Sequence, residues 1–69
     1  MTLSYENGDF GGKIIINGEI DHHAAIGAIE KIDKILDDYQ PGVVTFDLDG
    51  VTFMDSSGIA LLLFANRRL

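Results

Sequence analysis

Residues 21–39, Asp-His-His-Ala-Ala-Ile-Gly-Ala-Ile-Glu-Lys-Ile-Asp-Lys-Ile-Leu-Asp-Asp-Tyr, decide the fold. Asp21 is suited to cap a helix, because its carboxylate can accept from an otherwise unpaired first-turn N–H. From His22 to Tyr39 the apolar residues Ala25, Ile29, Ile32 and Leu36 recur at steps of four, three and four. Ile26, Ala28, Ile35 and Tyr39 widen that stripe, and the spacing predicts one amphipathic helix. Glu30 stands four residues before Lys34, the favourable order for a pair on the outer face. Pro41-Gly42 stops the helix. Asp37 and Asp38 oppose the dipole near its C-terminus and read as a solvated acidic end.

On each side of this helix lies an apolar strand. Lys13 to Asn17 holds three consecutive isoleucines, a β-branched run that reads as buried, and Gly18 ends it. Val43 to Leu48 reads the same way and is followed by the turn signal Asp49-Gly50. The helix is then a crossover, and the two strands it joins are expected to be parallel, with a right-handed connection. Upstream, Leu3 to Glu6 is a short strand. The turn chemistry of Asn7-Gly8-Asp9 and Gly11-Gly12 pairs it antiparallel with the first isoleucine strand. Downstream, Phe53-Met54 leads into Asp55-Ser56-Ser57-Gly58. Ile59 to Ala65 is apolar on every side, a helix that needs cover on more than one face. Arg67 and Arg68 suit its C-terminal end. The order is β-β-α-β-α, an α/β fold with a mixed sheet. Its parallel pair brings residues 19–23 and 49–58 to one sheet edge, where sites of open α/β folds gather. Asp21 and Ser56 are expected to be neighbours there.

Composition narrows the function. The chain has 69 residues, 5 basic and 11 acidic, for a formal net charge of −6. Nucleic acid is a poor partner, since binding it depends on Lys and Arg meeting phosphates. An anionic membrane surface is disfavoured for the same reason. No apolar run reaches the roughly 18 residues that span a bilayer, and the N-terminus lacks the basic and apolar regions of a secretory signal. The expected location is cytoplasmic. Without cysteine there is no disulfide framework and no thiolate metal site.

Three motifs bear chemistry. Asp55-Ser56-Ser57-Gly58 is either a helix N-cap alone, or a cap that also carries a phosphorylatable serine at a helix N-terminus, where the amides and dipole tolerate a phosphate. A serine-hydrolase elbow needs glycine two before and two after the serine; Met54 stands where the first would be. His22 and His23 are adjacent, so on a helix they point about 100° apart and converge poorly on one metal ion. They can still serve as polar contacts to a partner. Val43 to Val51 mimics the first motif of haloacid dehalogenase-like phosphotransferases, with Asp47 as nucleophile, Asp49 as acid/base and Mg²⁺ on the phosphate. That motif opens a long domain with a lysine and further acids downstream, and here about 20 residues follow. Neither a catalytic residue, a metal nor a cofactor is assigned.

Gly18-Glu19-Ile20-Asp21-His22-His23, followed by the helix, the apolar strand and Val51-Thr52-Phe53-Met54-Asp55-Ser56-Ser57-Gly58-Ile59-Ala60, resembles the STAS domain of bacterial anti-sigma factor antagonists. The resemblance covers nearly the whole chain and keeps the spacing between both motifs. It implies a non-catalytic regulator that captures an anti-sigma factor, itself a GHKL-type serine kinase, and so frees a sigma factor. It further implies phosphorylation of Ser56 by that kinase, loss of the complex, and reset by a phosphatase. Asp21, His22, His23, Asp55, Ser56, Ser57 and Gly58 are the partner-binding set it implies. A phosphate adds about −1.5 to −2 charge, beside Asp55 and close to Asp21. The same fold also serves other partner-switching and stress-signalling complexes. The family domain runs to about 100 residues and continues past this helix. Residues 1–69 are therefore expected to be its N-terminal portion, with an under-covered last helix prone to self-association.

Overall fold

The computed structural model describes residues 1–68. The order is β1 (Thr2–Gly8), β2 (Gly11–Ile20), α1 (His22–Tyr39), β3 (Val44–Met54) and α2 (Ser56–Arg68). The sheet order is β1-β2-β3, with β1 antiparallel and β3 parallel to β2. This is the expected mixed sheet with an N-terminal hairpin and a crossover through α1.

One face of the sheet carries the core. Ile14, Ile16 and Ile20 on β2 are fully buried, with Ala28 and Ile32 of α1 and Leu61 and Ala65 of α2. Ile15 points to the opposite face and is only partly covered, because successive strand residues face opposite ways. That face is polar: Lys13 Nζ lies 3.6 Å from the Asp47 carboxylate, and Asn17 Nδ2 donates to Thr2 Oγ1 at 3.4 Å.

The strands run further than local residue chemistry suggests. Gly18 does not end β2, and Asp49-Gly50 is not a turn. Both lie inside strands, at shifts in the β2–β3 register. Between Ile15 and Asn17, β2 advances two residues while β3 advances three, from Asp47 to Gly50. One residue later β3 gains a second extra position, between Val51 and Phe53. The glycines are absorbed as β-bulges, which tolerate turn-like residues within a strand. Gly50 also lies directly beneath the Asn17 side chain, leaving no room for a Cβ. The hairpin turn itself is Asp9-Phe10, flanked by the pair Gly8 and Gly11.

α1 spans the expected residues and is capped at both ends. Asp21 Oδ1 accepts from the Ala24 N–H at 2.8 Å. Gln40, in the left-handed region at φ 46°, donates its N–H to the Leu36 carbonyl at 3.0 Å, so the helix closes just ahead of Pro41. Ile26 is 50% exposed and lies outside the buried stripe. Tyr39 is also exposed, but its ring packs on Tyr5, centroids 4.7 Å apart. Lys34 meets Asp38, at 3.9 Å, rather than Glu30.

Asp37 is more than a solvated acid. Arg68 at the end of α2 donates to Asp33 Oδ1 at 2.7 Å and also to Asp37, tying the C-terminal end of α2 to α1. Its hydrogen bond to the Asp33 carboxylate, then that to Asp37, hold the Arg68 guanidinium protonated beyond even its ordinary range. A raised pKa contributes stability at every pH below the guanidinium range and loses it only as pH rises through it. Salt is therefore the usable lever. Arg68→Ala is expected to lower the thermal midpoint slightly in dilute buffer, with the difference vanishing near 1 M NaCl, where screening acts within about 3 Å. A difference that survives high salt would mean that Arg68 acts by packing.

Candidate functional site

The site is made by two like junctions set side by side. β2 and β3 are parallel and end in register, Ile20 opposite Met54. Each is followed by a single aspartate and then a helix. Asp21 caps α1 as described. Asp55 plays the corresponding part at α2: its Oδ1 accepts from the Ser57 N–H at 2.8 Å, and its carbonyl accepts from the Gly58 N–H at 3.0 Å. The Asp55 N–H in turn donates to the Ile20 carbonyl at 3.3 Å, which fastens the second junction to the first. Gly58 is buried where a side chain would collide with Met54 and press on Ile20. Its lack of a Cβ lets α2 start flush against the strand ends.

These constraints bring residues 22 and 57 together. His22 Nδ1 and Ser57 Oγ are 3.2 Å apart. They sit at one end of a cleft of about 290 Å³ between the first turns of the two helices. Ala25, Ile26 and Ile29 of α1 form one wall, and Ser56, Ser57 and Ala60 of α2 the other. Ser56 is exposed and Ser57 half-buried. Among the described residues, no hydrogen bond engages the Ser56 hydroxyl. Asp21 and His23 are exposed at the same edge. Asp21 turns its carboxylate inward to its own helix, so the contact across the junction is His22–Ser57 rather than one made by Asp21.

The α2 N-terminus is not an empty anion hole. The Ser57 amide already serves the Asp55 carboxylate and the Gly58 amide serves the Asp55 carbonyl. A phosphate on Ser56 would meet the Asp55 carboxylate at the helix start, whose repulsion works against the attraction of the helix dipole. Among the described residues, no group of three or more His, Cys, Asp or Glu side chains converges as a metal site.

Asp47 and Asp49 lie elsewhere. A phosphotransferase motif needs them at a strand's C-terminal end, but β3 continues to Met54. Asp47 pairs with Lys13 on the open face and accepts from the Asp49 N–H at 3.1 Å.

A three-stranded sheet backed by two helices, with a pair of serines opening the helix that follows the last parallel strand, is the geometry of a STAS domain, and the comparisons agree. The STAS domain family model matches residues 5–69, and the chain belongs to that family. It is 38% identical over 52 residues to an anti-sigma F factor antagonist from Lysinibacillus sphaericus, covering 75% of this chain and 44% of that relative. Its fold is similar to the solved structure of the anti-sigma factor antagonist SpoIIAA in its unphosphorylated form. The TM-score is 0.76 at 29% identity, over 99% of this chain and 63% of that one. The chain thus spans less than half the length of the curated relative and under two thirds of the solved structure. Neither described helix is long and apolar enough to cross a membrane.

Proposed function

We propose that this chain is the N-terminal portion of an anti-sigma factor antagonist. It acts in the cytoplasm without catalytic chemistry of its own. It binds an anti-sigma factor that is a GHKL-type serine kinase, through the edge formed by Asp21, His22, His23, Asp55, Ser56, Ser57 and Gly58, and so releases a sigma factor. The kinase phosphorylates Ser56, the complex weakens, and a phosphatase resets it. One observation carries the reading. Ser56 presents an exposed hydroxyl at the mouth of the interhelical cleft, one residue from the Asp55 carboxylate. Neutral, it fits against a partner; phosphorylated, it places about two more negative charges beside Asp55. The fold need not change, because the strain falls on the contact surface.

The test uses the anti-sigma F factor that the Lysinibacillus sphaericus relative is named for opposing, with ATP. The wild-type chain is expected to bind it and then lose affinity as phosphate is incorporated. Ser56→Ala is expected to lower incorporation at least about tenfold and to keep the complex, while Ser57→Ala is expected to retain incorporation. The reverse pattern, with Ser57 the acceptor, would overturn the assignment.

A further inference from the structure

We infer that His22 selects which of the two adjacent serines is modified: by holding the Ser57 hydroxyl, it leaves Ser56 as the acceptor. This rests on the reading of this edge as a kinase substrate. The two serines are chemically identical and differ only in what surrounds them. Phosphorylation forms a bond from a serine Oγ to the γ-phosphorus of ATP and breaks that phosphorus's bond to the bridging oxygen. ADP leaves, and the hydroxyl proton passes to the kinase. The hydroxyl must therefore leave the substrate's surface and enter the kinase's site.

Ser57 is held at two points. Its N–H donates to Asp55 Oδ1 at 2.8 Å, and its Oγ lies 3.2 Å from His22 Nδ1 on the neighbouring helix. Ser57 is half-buried in the cleft between α1 and α2, and the exposed His22 ring closes over it from the α1 side. To react it would have to give up the histidine contact and turn out of the cleft. Ser56 needs neither change. The contact exists because β2 and β3 end in register, so the choice between neighbouring residues is made from 35 positions away in sequence.

A serine–histidine contact can also activate a nucleophile, provided a third group orients the imidazole. The nearest candidate in sequence, the Asp21 carboxylate, is committed to the Ala24 N–H. Among the described residues, no hydrogen bond reaches the His22 Nε2. The pair is built to hold the hydroxyl rather than to activate it.

The readout is the ratio of phosphate on Ser57 to phosphate on Ser56 within one sample, resolved by fragmentation mass spectrometry. A ratio cancels any change in kinase affinity that a substitution at the contact edge brings. The full chain is incubated with the anti-sigma F factor and ATP as above. His22→Ala is expected to raise the ratio about fivefold, the shift that losing one hydrogen bond implies. His22→Asn keeps a polar atom on Cγ where Nδ1 stood and is expected to bring the ratio back towards wild type. A variant that merely loosened the fold would not be rescued by asparagine in this way. An unchanged ratio in His22→Ala overturns the inference while leaving Ser56 as the acceptor. A ratio that falls also overturns it, because His22 would then be activating Ser57. Absence of phosphate on both serines of the wild-type chain would instead overturn the kinase-substrate reading on which the inference rests.

Discussion

Ile32→Ala is expected to remove a large share of the protein's stability. Ile32 is completely buried in the middle of α1, among the isoleucines of β2 and the buried residues of α2. Isoleucine to alanine at such a site removes buried methyl and methylene groups and leaves a cavity, at a cost of about 2–5 kcal/mol. A domain of this length has roughly 3–10 kcal/mol of stability in total, so the loss is about half of the whole. With a urea dependence near 1 kcal/mol per molar, the unfolding midpoint is expected to fall by about 2 M or more. Ile32→Val, which removes one methyl group, is expected to cost about 0.5–1.5 kcal/mol. An unchanged midpoint in the alanine variant would mean that the helix is not held through this residue.

Gly58→Val is expected to damage the site and the fold together. Any side chain at position 58 meets Met54 and presses on Ile20, 3.3 Å from the would-be Cβ. The overlap is relieved only if the first turn of α2 lifts from the strand ends or Met54 moves out. Overpacking of this kind costs about 1–3 kcal/mol, a drop in thermal midpoint on the order of 10 °C for a chain of this size. Because the same turn carries Ser56 and Ser57, the 3.2 Å contact with His22 is expected to break with it. The Ser57 amide and His22 ring resonances report that separation directly. Gly58→Ala is expected to be milder, since methionine is adaptable. If Gly58→Val keeps both the midpoint and these resonances, the close approach is not what positions α2.

These two sites also mark what could be read in the sequence. The helix from His22 to Tyr39 was legible because its signals are local: a capping aspartate, an apolar stripe, and a Pro-Gly stop. The parallel pairing followed from it, and so did the meeting of residues 19–23 with residues 49–58. The strand limits were less legible. Gly18 and Asp49-Gly50 carry turn chemistry, and only pairing with a neighbouring strand converts them to bulges. Asp37 read as a free acid because its partner, Arg68, is 31 residues away on another helix. The same holds for His22. Its neighbour Ser57 depends on where two strands end, and two bulges shift that end point by a residue each. A motif search finds the serines; it does not find what distinguishes them. The last helix was expected to lack cover, and it does: Ile59 is 58% exposed and Leu63 55%, while Leu61 and Ala65 are buried.

The parallel pairing across α1 also orders events in time. The β1–β2 hairpin closes through two residues and is expected to form within microseconds. β3 pairs with β2 only after some two dozen residues have been looped back, and such non-local pairing is slow. His22 and Ser57 meet only once that pairing has reached its final register at Ile20 and Met54. The serine edge is therefore expected to assemble late and to open early. Amide exchange at Ser57 and Gly58 is expected to run faster than at Ile14 and Ile16, so that the segment a partner engages is also the one with the shortest lifetime in the closed state.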